Sequence, residues 1–233
     1  KIIKYLKSKS IGNNFKIVGI SALNPSRKNK TIVDWLIERL SMYSLKELSI
    51  VFLSLFFVFI TKKAGTSSQK SKFSIDNNCF PEIPIVKTQD INSPKYISTL
   101  KKYNIDIIIS ISCPQILSEE LISLPKVACI NAHGTLLPKH RGVHGSWWTL
   151  FNKDEVGGST VHLIKPKIDS GEIILQSKFK IAKDETQYSL AFKTKLLFSR
   201  LLLIAIRQLT LGKAKYSKME LVKGNYNYAP SRK

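Results

Sequence analysis

The sequence predicts an α/β fold of the doubly wound kind, in which a mostly parallel sheet is covered by helices on both faces. Short apolar runs without polar alternation are typical of strands that are buried on both sides. These runs alternate along the chain with segments whose apolar positions follow helical spacing. With 233 residues, 43% of them hydrophobic, the chain is long enough for one large domain with its own core.

The first part of the chain combines a strand, a surface helix and a strongly apolar segment. Residues 15–21 are predicted to form a short buried strand that follows the end of a helix, and we therefore expect a first strand upstream of Lys1 to be missing. Residues 31–43 have the periodicity of a surface helix. The 13 residues 48–60 are apolar nearly all round, but spanning a bilayer takes about 20 residues. We interpret them as a buried or partner-packing helix, with contact to a membrane surface as the alternative.

The rest of the chain continues the alternation up to about residue 142 and then changes. The predicted strands are residues 83–86, 106–111, 127–131, 158–165 and 172–181, and the predicted helices are residues 93–104, 115–124 and 186–211. The last two strands are joined by a tight connection rather than by a helix. We expect one domain over residues 1–215 and a truncated tail without periodicity over residues 216–233.

The charge of the chain narrows the classes of partner. There are 37 Lys and Arg against 16 Asp and Glu, which gives a net charge of +21. Such a field attracts anions, including nucleic acid, anionic lipid and phosphorylated metabolites. RNA-binding and zinc-finger sequence patterns are missing, so a dedicated nucleic-acid-binding protein is disfavoured. A lysine-rich surface that reflects biased genomic composition is the alternative explanation.

The cysteines indicate the redox environment. Cys79, Cys113 and Cys129 lie far apart and form neither a disulfide framework nor a zinc ligand set. The chain also begins without the pattern of a signal peptide. Together these observations predict a cytoplasmic protein.

A candidate site follows the strand that ends at Ile130. Open α/β sheets bind ligands at the carboxyl ends of their strands. Asn131 and His133 are two residues apart in an extended segment and therefore point to the same side. Asp169 lies at a turn between two later strands, from which its carboxylate could reach His133. An amide donor beside an imidazole suits proton transfer near neutral pH.

Three blocks of sequence resemble the formyltransferase family that depends on 10-formyltetrahydrofolate. They are residues 130–142 (INAHGTLLPKHRG), 159–164 (STVHLI) and 168–176 (IDSGEIILQ). The residues that match the family pattern are Asn131, His133, Leu136, Leu137, Pro138, Gly142, Asp169 and Gly171. Thr135 and His140 depart from it, where the family usually has Ser and an aromatic residue. The resemblance implies a Rossmann-like formyltransferase fold and covers about residues 15–211.

The resemblance also implies transfer of a formyl group from N10 of the folate, as cosubstrate, to a primary amine. Asn131 would then donate to the developing oxyanion, with protonated His133 as a second donor. His133 would move the protons, and Asp169 would hold a water or the imidazole and favour the imidazolium form. No metal is required. The residues implied to contact the folate are Gln115, Ile116, Leu117, Pro166 and Ile168.

The acceptor amine is open at this point. An amino-sugar nucleotide is the first expectation, because its phosphates suit the positive charge. Methionyl-tRNA and glycinamide ribonucleotide are alternatives, and the tRNA enzymes of the family carry a further C-terminal domain, which we expect this chain to lack. A further alternative is a protein of another class. Such a protein would keep the scaffold without turnover and would bind a membrane surface or a partner through residues 48–60. A homodimer is also considered.

Other conspicuous side chains are given structural interpretations. His140 and His144 are four residues apart, but the intervening Gly142 and the nearby proline argue against a helix that would hold a metal. His162 is expected to pack or hydrogen-bond within its strand. Trp147 and Trp148 are expected to anchor a helix in the core, with stacking on a substrate as the alternative.

Overall fold

The computed structural model describes residues 15–23 and 82–230 of the chain. The helices predicted at residues 31–43 and 48–60, the region upstream of residue 15, and Cys79 lie outside the described residues. Within the described ranges, no helix is both long enough and apolar enough to cross a membrane.

The described part of the chain is built from six strands and four α-helices. The strands are β1 (Ile107–Ile111), β2 (Ala128–His133), β3 (Arg141–Gly142), β4 (Val156–Leu163), β5 (Ile173–Lys180) and β6 (Tyr226–Asn227). The helices are α1 (Pro94–Lys101), α2 (Glu119–Ile122), α3 (Gly145–Phe151) and α4 (Gln187–Thr210), followed by a 3₁₀ turn at Leu221–Lys223. The elements predicted from residue 93 onward are therefore present, with ends that shift by a few residues.

The main sheet has four strands in the order β1-β2-β4-β5. The pairing of β1 with β2 is parallel, whereas β2 with β4 and β4 with β5 are antiparallel. The α/β class is thus confirmed, and the described sheet is mixed. The antiparallel pairing of β4 with β5 has a simple cause, because their connection is too short for the crossover that parallel strands need.

The predicted strands at residues 15–21 and 83–86 meet in one parallel bridge. The Ile20 N–H donates to the Pro84 carbonyl at 3.0 Å, and the Val86 N–H donates to the Ile20 carbonyl at 2.9 Å. These two segments therefore pair, although over a shorter length than predicted.

The core lies between one face of the sheet and the long helix α4. The sheet contributes Ala128, Ile130, Ala132, Val161 and Ile174, and α4 contributes Phe198, Leu201, Leu202, Ala205, Ile206 and Leu209. Helix α4 begins with a capping box, in which Thr186 and Ser189 exchange hydrogen bonds between side chain and backbone. Removing these apolar side chains from water is the main term that holds α4 on the sheet.

The C-terminal segment packs on the loop that follows β2. Strand β6 pairs in parallel with β3, so that Arg141 lies opposite Tyr226 and Gly142 opposite Asn227. Gly142 has a φ of +95°, and a Cβ atom there would lie 2.3 Å from the Asn227 carbonyl oxygen. Only glycine allows this approach. Nothing in the aperiodic sequence of the tail predicts this contact.

Candidate active site

Asn131 and His133 lie on the face of β2 that points away from α4. Ala128, Ile130 and Ala132 of the same strand belong to the core under α4. Because successive side chains of a strand point to opposite faces, Asn131 and His133 share the other face. They stand at the carboxyl end of β2, where a sheet of this class binds ligands.

The loop after β2 is anchored to β4 and β5 by two polar side chains. The Thr160 hydroxyl accepts a hydrogen bond from the Leu137 N–H at 3.1 Å and donates to the Thr135 carbonyl at 2.7 Å. The Gln176 amide donates to the Leu137 carbonyl at 2.9 Å. Thr160 itself is fully buried. The loop is therefore held over the sheet, and its residues 140–142 return to the edge where β2 ends.

The hydrogen bonds of His133 assign its tautomer. Its Nε2 lies 3.0 Å from the backbone carbonyl oxygen of His140. A carbonyl oxygen only accepts, so Nε2 must carry a proton. In the neutral ring the lone pair is then on Nδ1, which lies 3.7 Å from Oδ2 of Asp169. Nδ1 is therefore the nitrogen of His133 that can take up a proton.

Asp169 brings the connection between β4 and β5 to the same point. Its Oδ2 accepts a hydrogen bond from the Gly142 N–H at 2.8 Å. Its Oδ1 lies 3.4 Å from Nδ2 of Asn131. The residue has a φ of +45°, an unusual backbone conformation for a residue with a Cβ. The structure thus brings Asn131, His133 and Asp169 together from two separate parts of the chain.

His162 is a fourth member of this cluster, one that we expected only to pack or bond within its strand. It lies directly opposite Asn131 in the pairing of β2 with β4. Its Nδ1 donates to the Leu163 carbonyl at 2.7 Å, and its Nε2 lies 3.1 Å from Nδ2 of Asn131. In the neutral ring, Nε2 therefore accepts from the amide. Its register against Asn131 is the signal that would have found it, and register depends on the pairing of distant strands.

The protonation states follow from burial and charge. Burial raises the pKa of Asp169, but the hydrogen bond from His162 and the charge of His133 when these rings are protonated, together with the Gly142 N–H, outweigh it and hold that pKa at about 2. Burial lowers the pKa of His133 below its ordinary value of 6.5, by more than the charge of Asp169 raises it. The expected imidazolium is therefore disfavoured, and a neutral His133 faces an ionised Asp169.

Arg141 is a neighbour of this cluster that our sequence analysis did not single out. The residue is 8% exposed, and its Nε atom is buried without a hydrogen-bond partner in the described part of the chain. A buried polar group without a partner is costly, and such an atom in a native structure calls for an explanation. Arg141 lies between His140, whose carbonyl contacts His133, and Gly142, whose N–H contacts Asp169.

The side chains predicted to contact the folate are not gathered in one pocket. The Gln115 side chain accepts from the Ile91 N–H at 3.0 Å and donates to the Gln89 carbonyl at 2.6 Å, so it ties two loops together. Ile116 is 63% exposed, and Leu117 packs beside the apolar cluster around α1.

Pro166 lies at a different place from these three residues. It lines a cavity of about 380 Å³ together with residues of α2 and of the ends of β2 and β4. Ile168 is half-buried beside Asp169. A role in folate binding stays a prediction for all five residues. No group of three or more His, Cys, Asp or Glu side chains in the described ranges is arranged to hold a metal ion.

Comparison with known sequences identifies the family. Residues 49–206 match the family model described as Formyl transferase. The match covers more than half of the chain, and the chain belongs to this family.

The relatives differ in the acceptor that their names state. A methionyl-tRNA formyltransferase of Agathobacter rectalis is 34% identical over 135 residues, which are 58% of this chain and 44% of that protein. The chain spans less than half the length of the first curated relatives it matches.

Solved structures show the same fold. A sugar N-formyltransferase of a Shewanella species superposes with a TM-score of 0.55 at 23% identity, over 77% of this chain and 72% of that one. The formyltransferase PseJ of Anoxybacillus kamchatkensis has a TM-score of 0.54 at 26% identity, over 63% of this chain and 75% of that one. The PseJ structure is a complex with UDP-4,6-dideoxy-4-formamido-L-AltNAc and tetrahydrofolate.

Proposed function

We propose that this protein transfers a formyl group from 10-formyltetrahydrofolate to a primary amine, and that the amine belongs to an amino-sugar nucleotide. The observation that carries the proposal is the meeting of Asn131, His133 and Asp169 at the carboxyl end of β2. An amide donor, a neutral base and an ionised carboxylate are the groups that acyl transfer to an amine requires. Membership of the formyl transferase family supports the same reaction.

The first task of the site is to stabilise the negative charge that develops on the formyl oxygen when the amine attacks. Asn131 does this through Nδ2. Nδ2 lies 3.1 Å from Nε2 of His162 and 3.4 Å from Oδ1 of Asp169. The longer contact is the one that can be exchanged for the formyl oxygen. A donor of this kind contributes roughly 10²–10³ in rate.

The second task is to move one proton from the amine to the departing folate nitrogen. His133 accepts the proton on Nδ1 as the new C–N bond forms, and Asp169 stabilises the resulting imidazolium from 3.7 Å. His133 then returns the proton to N10 as the old C–N bond breaks, so the products are a formamide and tetrahydrofolate. General acid–base catalysis of this kind contributes roughly 10²–10⁴.

The buried Arg141 supports a phosphorylated acceptor. A guanidinium group matches the geometry of phosphate oxygens, and the Arg141 Nε atom has no hydrogen-bond partner in residues 15–23 and 82–230. The net charge of +21 would also attract a diphosphate. The UDP-sugar in the PseJ complex is consistent with this acceptor class.

Methionyl-tRNA is the second candidate acceptor. It is favoured by the relatives that carry that name, among them the 34% identical protein of Agathobacter rectalis. The same phosphate contact by Arg141 would serve the backbone of a tRNA acceptor end.

The proposal is tested by offering acceptors side by side. The protein is incubated with 10-formyltetrahydrofolate and, separately, with UDP- and dTDP-linked amino sugars, methionyl-tRNA and glycinamide ribonucleotide, and release of tetrahydrofolate is followed by absorbance. We expect turnover with an amino-sugar nucleotide and its loss in His133→Ala. Turnover only with methionyl-tRNA or glycinamide ribonucleotide would refute the acceptor class. Folate binding without transfer to any acceptor would refute the proposed formyltransferase activity.

A further inference from the structure

The C-terminal segment makes a closed set of hydrogen bonds with the loop after β2. The His140 N–H donates to Oδ1 of Asn225 at 2.6 Å, and the Asn225 amide donates to Oδ1 of Asn227 at 3.3 Å. Nδ2 of Asn227 lies 3.1 Å from Nδ1 of His140, and Nε2 of His140 lies 2.7 Å from Oδ2 of Asp154. His140 and Asn227 are both buried. Four residues from three parts of the chain are therefore joined around one imidazole.

The direction of every bond in this set can be assigned. A backbone N–H can only donate, so the Asn225 oxygen must be the atom that faces His140. This orientation points the Asn225 NH₂ group at Asn227, whose oxygen must then accept. The Asn227 NH₂ group is left to donate to Nδ1 of His140. Nδ1 therefore carries the lone pair, and Nε2 carries the proton that is donated to Asp154.

The same segment holds the backbone of His140. The Arg141 N–H donates to the Asn225 carbonyl at 3.1 Å, and the Val143 N–H donates to the Asn227 carbonyl at 3.2 Å. The His140 carbonyl, fixed between these bonds, is the acceptor for Nε2 of His133 at 3.0 Å. The carbonyl that decides the tautomer of His133 is thus held by residues of the tail.

We propose that residues 225–227 are a working part of the active site and that Asn227 is a positioning residue. Asn227 and Asp154 together hold the His140 ring as the Nε2–H tautomer. The His140 carbonyl in turn holds His133 with Nδ1 free to accept the proton of the amine. This inference rests on the proposed function for its kinetic part, whereas its tautomer part concerns the protein alone.

The charges around His140 explain why the donor at residue 227 matters. Asp154 faces the ring from one side, with Lys139 Nζ at 3.5 Å from its Oδ1. A cavity of about 360 Å³ is lined by His140, Asp154 and also Glu155. An acceptor in place of the Asn227 NH₂ group would favour a proton on Nδ1 in addition to the proton on Nε2. The ring would then become a cation that is joined through its own backbone to the base of the site.

The test replaces Asn227 and follows both the histidine rings and the kinetics. The chain has four histidines, so ¹⁵N-detected NMR with single His replacements assigns each ring. In the wild type at pH 7.5 we expect His140 to show a protonated Nε2 and an unprotonated Nδ1. In Asn227→Asp we expect both nitrogens to be protonated, because a carboxylate accepts where the amide donated. In Asn227→Leu, which has the same branched shape and no donor, we expect Nε2 to stay protonated because Asp154 still accepts from it, and the ¹⁵N shift of Nδ1 to move to that of a nitrogen without a hydrogen bond.

The kinetic arm uses a matched control. Asn152 is an exposed asparagine at the end of α3, and Asn152→Leu should keep the wild-type kcat. Asn227→Leu should lower kcat by about tenfold or more, with KM for the folate within about threefold, because the loss lies in the orientation of the base. Should Asn227→Leu fail to fold, Asp154→Ala removes the other end of the set and is expected to give the same loss of kcat.

Two results would overturn this inference. One is a wild-type His140 that carries its proton on Nδ1, and the other is a folded Asn227→Leu protein whose kcat equals that of Asn152→Leu. Failure of the proposed function can be distinguished from failure of this inference, because it affects the kinetics and leaves the expected NMR spectra unchanged. The changes in the His140 ring would then appear as expected in the NMR spectra while no acceptor is formylated by the wild type.

Discussion

The backbone N–H of Gly142 donates to Oδ2 of Asp169 at 2.8 Å, and this is the same carboxylate oxygen that faces Nδ1 of His133. One atom therefore joins the loop after β2, the connection between β4 and β5, and the base of the candidate site. Burial raises the pKa of Asp169, but the contact with His162, the charge of His133 when it is protonated and this Gly142 N–H lower it by more.

Asp169 makes the free energy of unfolding depend on pH in the acid range. Its pKa falls from 3.8 to about 2 in the folded protein, so its ionisation stabilises the fold above pH 3.8, and this contribution is lost as pH falls through about 2. The size expected from this shift is about 2 kcal/mol. Urea unfolding of the wild type and Asp169→Asn between pH 2 and pH 6 measures it. Asp169→Asn should lose this part of the pH dependence, whereas Asp184→Asn, at an exposed position, should behave like the wild type.

The titration of His133 should move in one direction when Asp169 is neutralised. Burial keeps the pKa of His133 below 6.5, and the negative charge of Asp169 is the largest influence that raises it. In Asp169→Asn the pKa of His133 should therefore fall further, and the acid limb of kcat/KM should move to lower pH with any residual activity. NMR titration of the His133 ring measures the shift directly. An upward shift would contradict the arrangement of charges described above.

His162 should affect turnover more than folate binding. Its Nε2 orients the Asn131 amide from 3.1 Å, so His162→Phe leaves one amide hydrogen without its acceptor. We expect kcat to fall by roughly 10- to 100-fold, with the dissociation constant for the folate within about threefold. His162→Gln offers a replacement acceptor oxygen and should keep more of the activity. Equal rates for His162→Phe and the wild type would remove His162 from the site.

Arg141 should act on the acceptor rather than on the reaction itself. If its guanidinium contacts a phosphate of the acceptor, Arg141→Gln should raise KM for that acceptor by about tenfold or more and leave kcat within about threefold. Lys178→Gln removes the same charge from an exposed position on β5 and serves as the control. Steady-state kinetics with the acceptor that is formylated in the panel measure both KM and kcat. A fall in kcat with unchanged KM would place Arg141 on the folate side of the reaction instead.

Local sequence was enough to predict the pieces of this protein. The period of two in β2 places Asn131 and His133 on one face, and this follows from strand geometry alone. The apolar periodicity between residues 186 and 211 predicts α4 almost to its ends, because a long amphipathic segment has a strong signal. The short connection after β4 likewise predicts two adjacent strands.

The tertiary structure decided how those pieces meet. The position of His162 against Asn131 depends on the register of two strands about 30 residues apart. The tautomer of His133 depends on a carbonyl that is held by the distant Asn225 and Asn227. The sign of the pKa shift of His133 depends on its burial. None of these is written in a local pattern, because hydrogen-bond register and desolvation arise only when segments far apart in the chain are packed together.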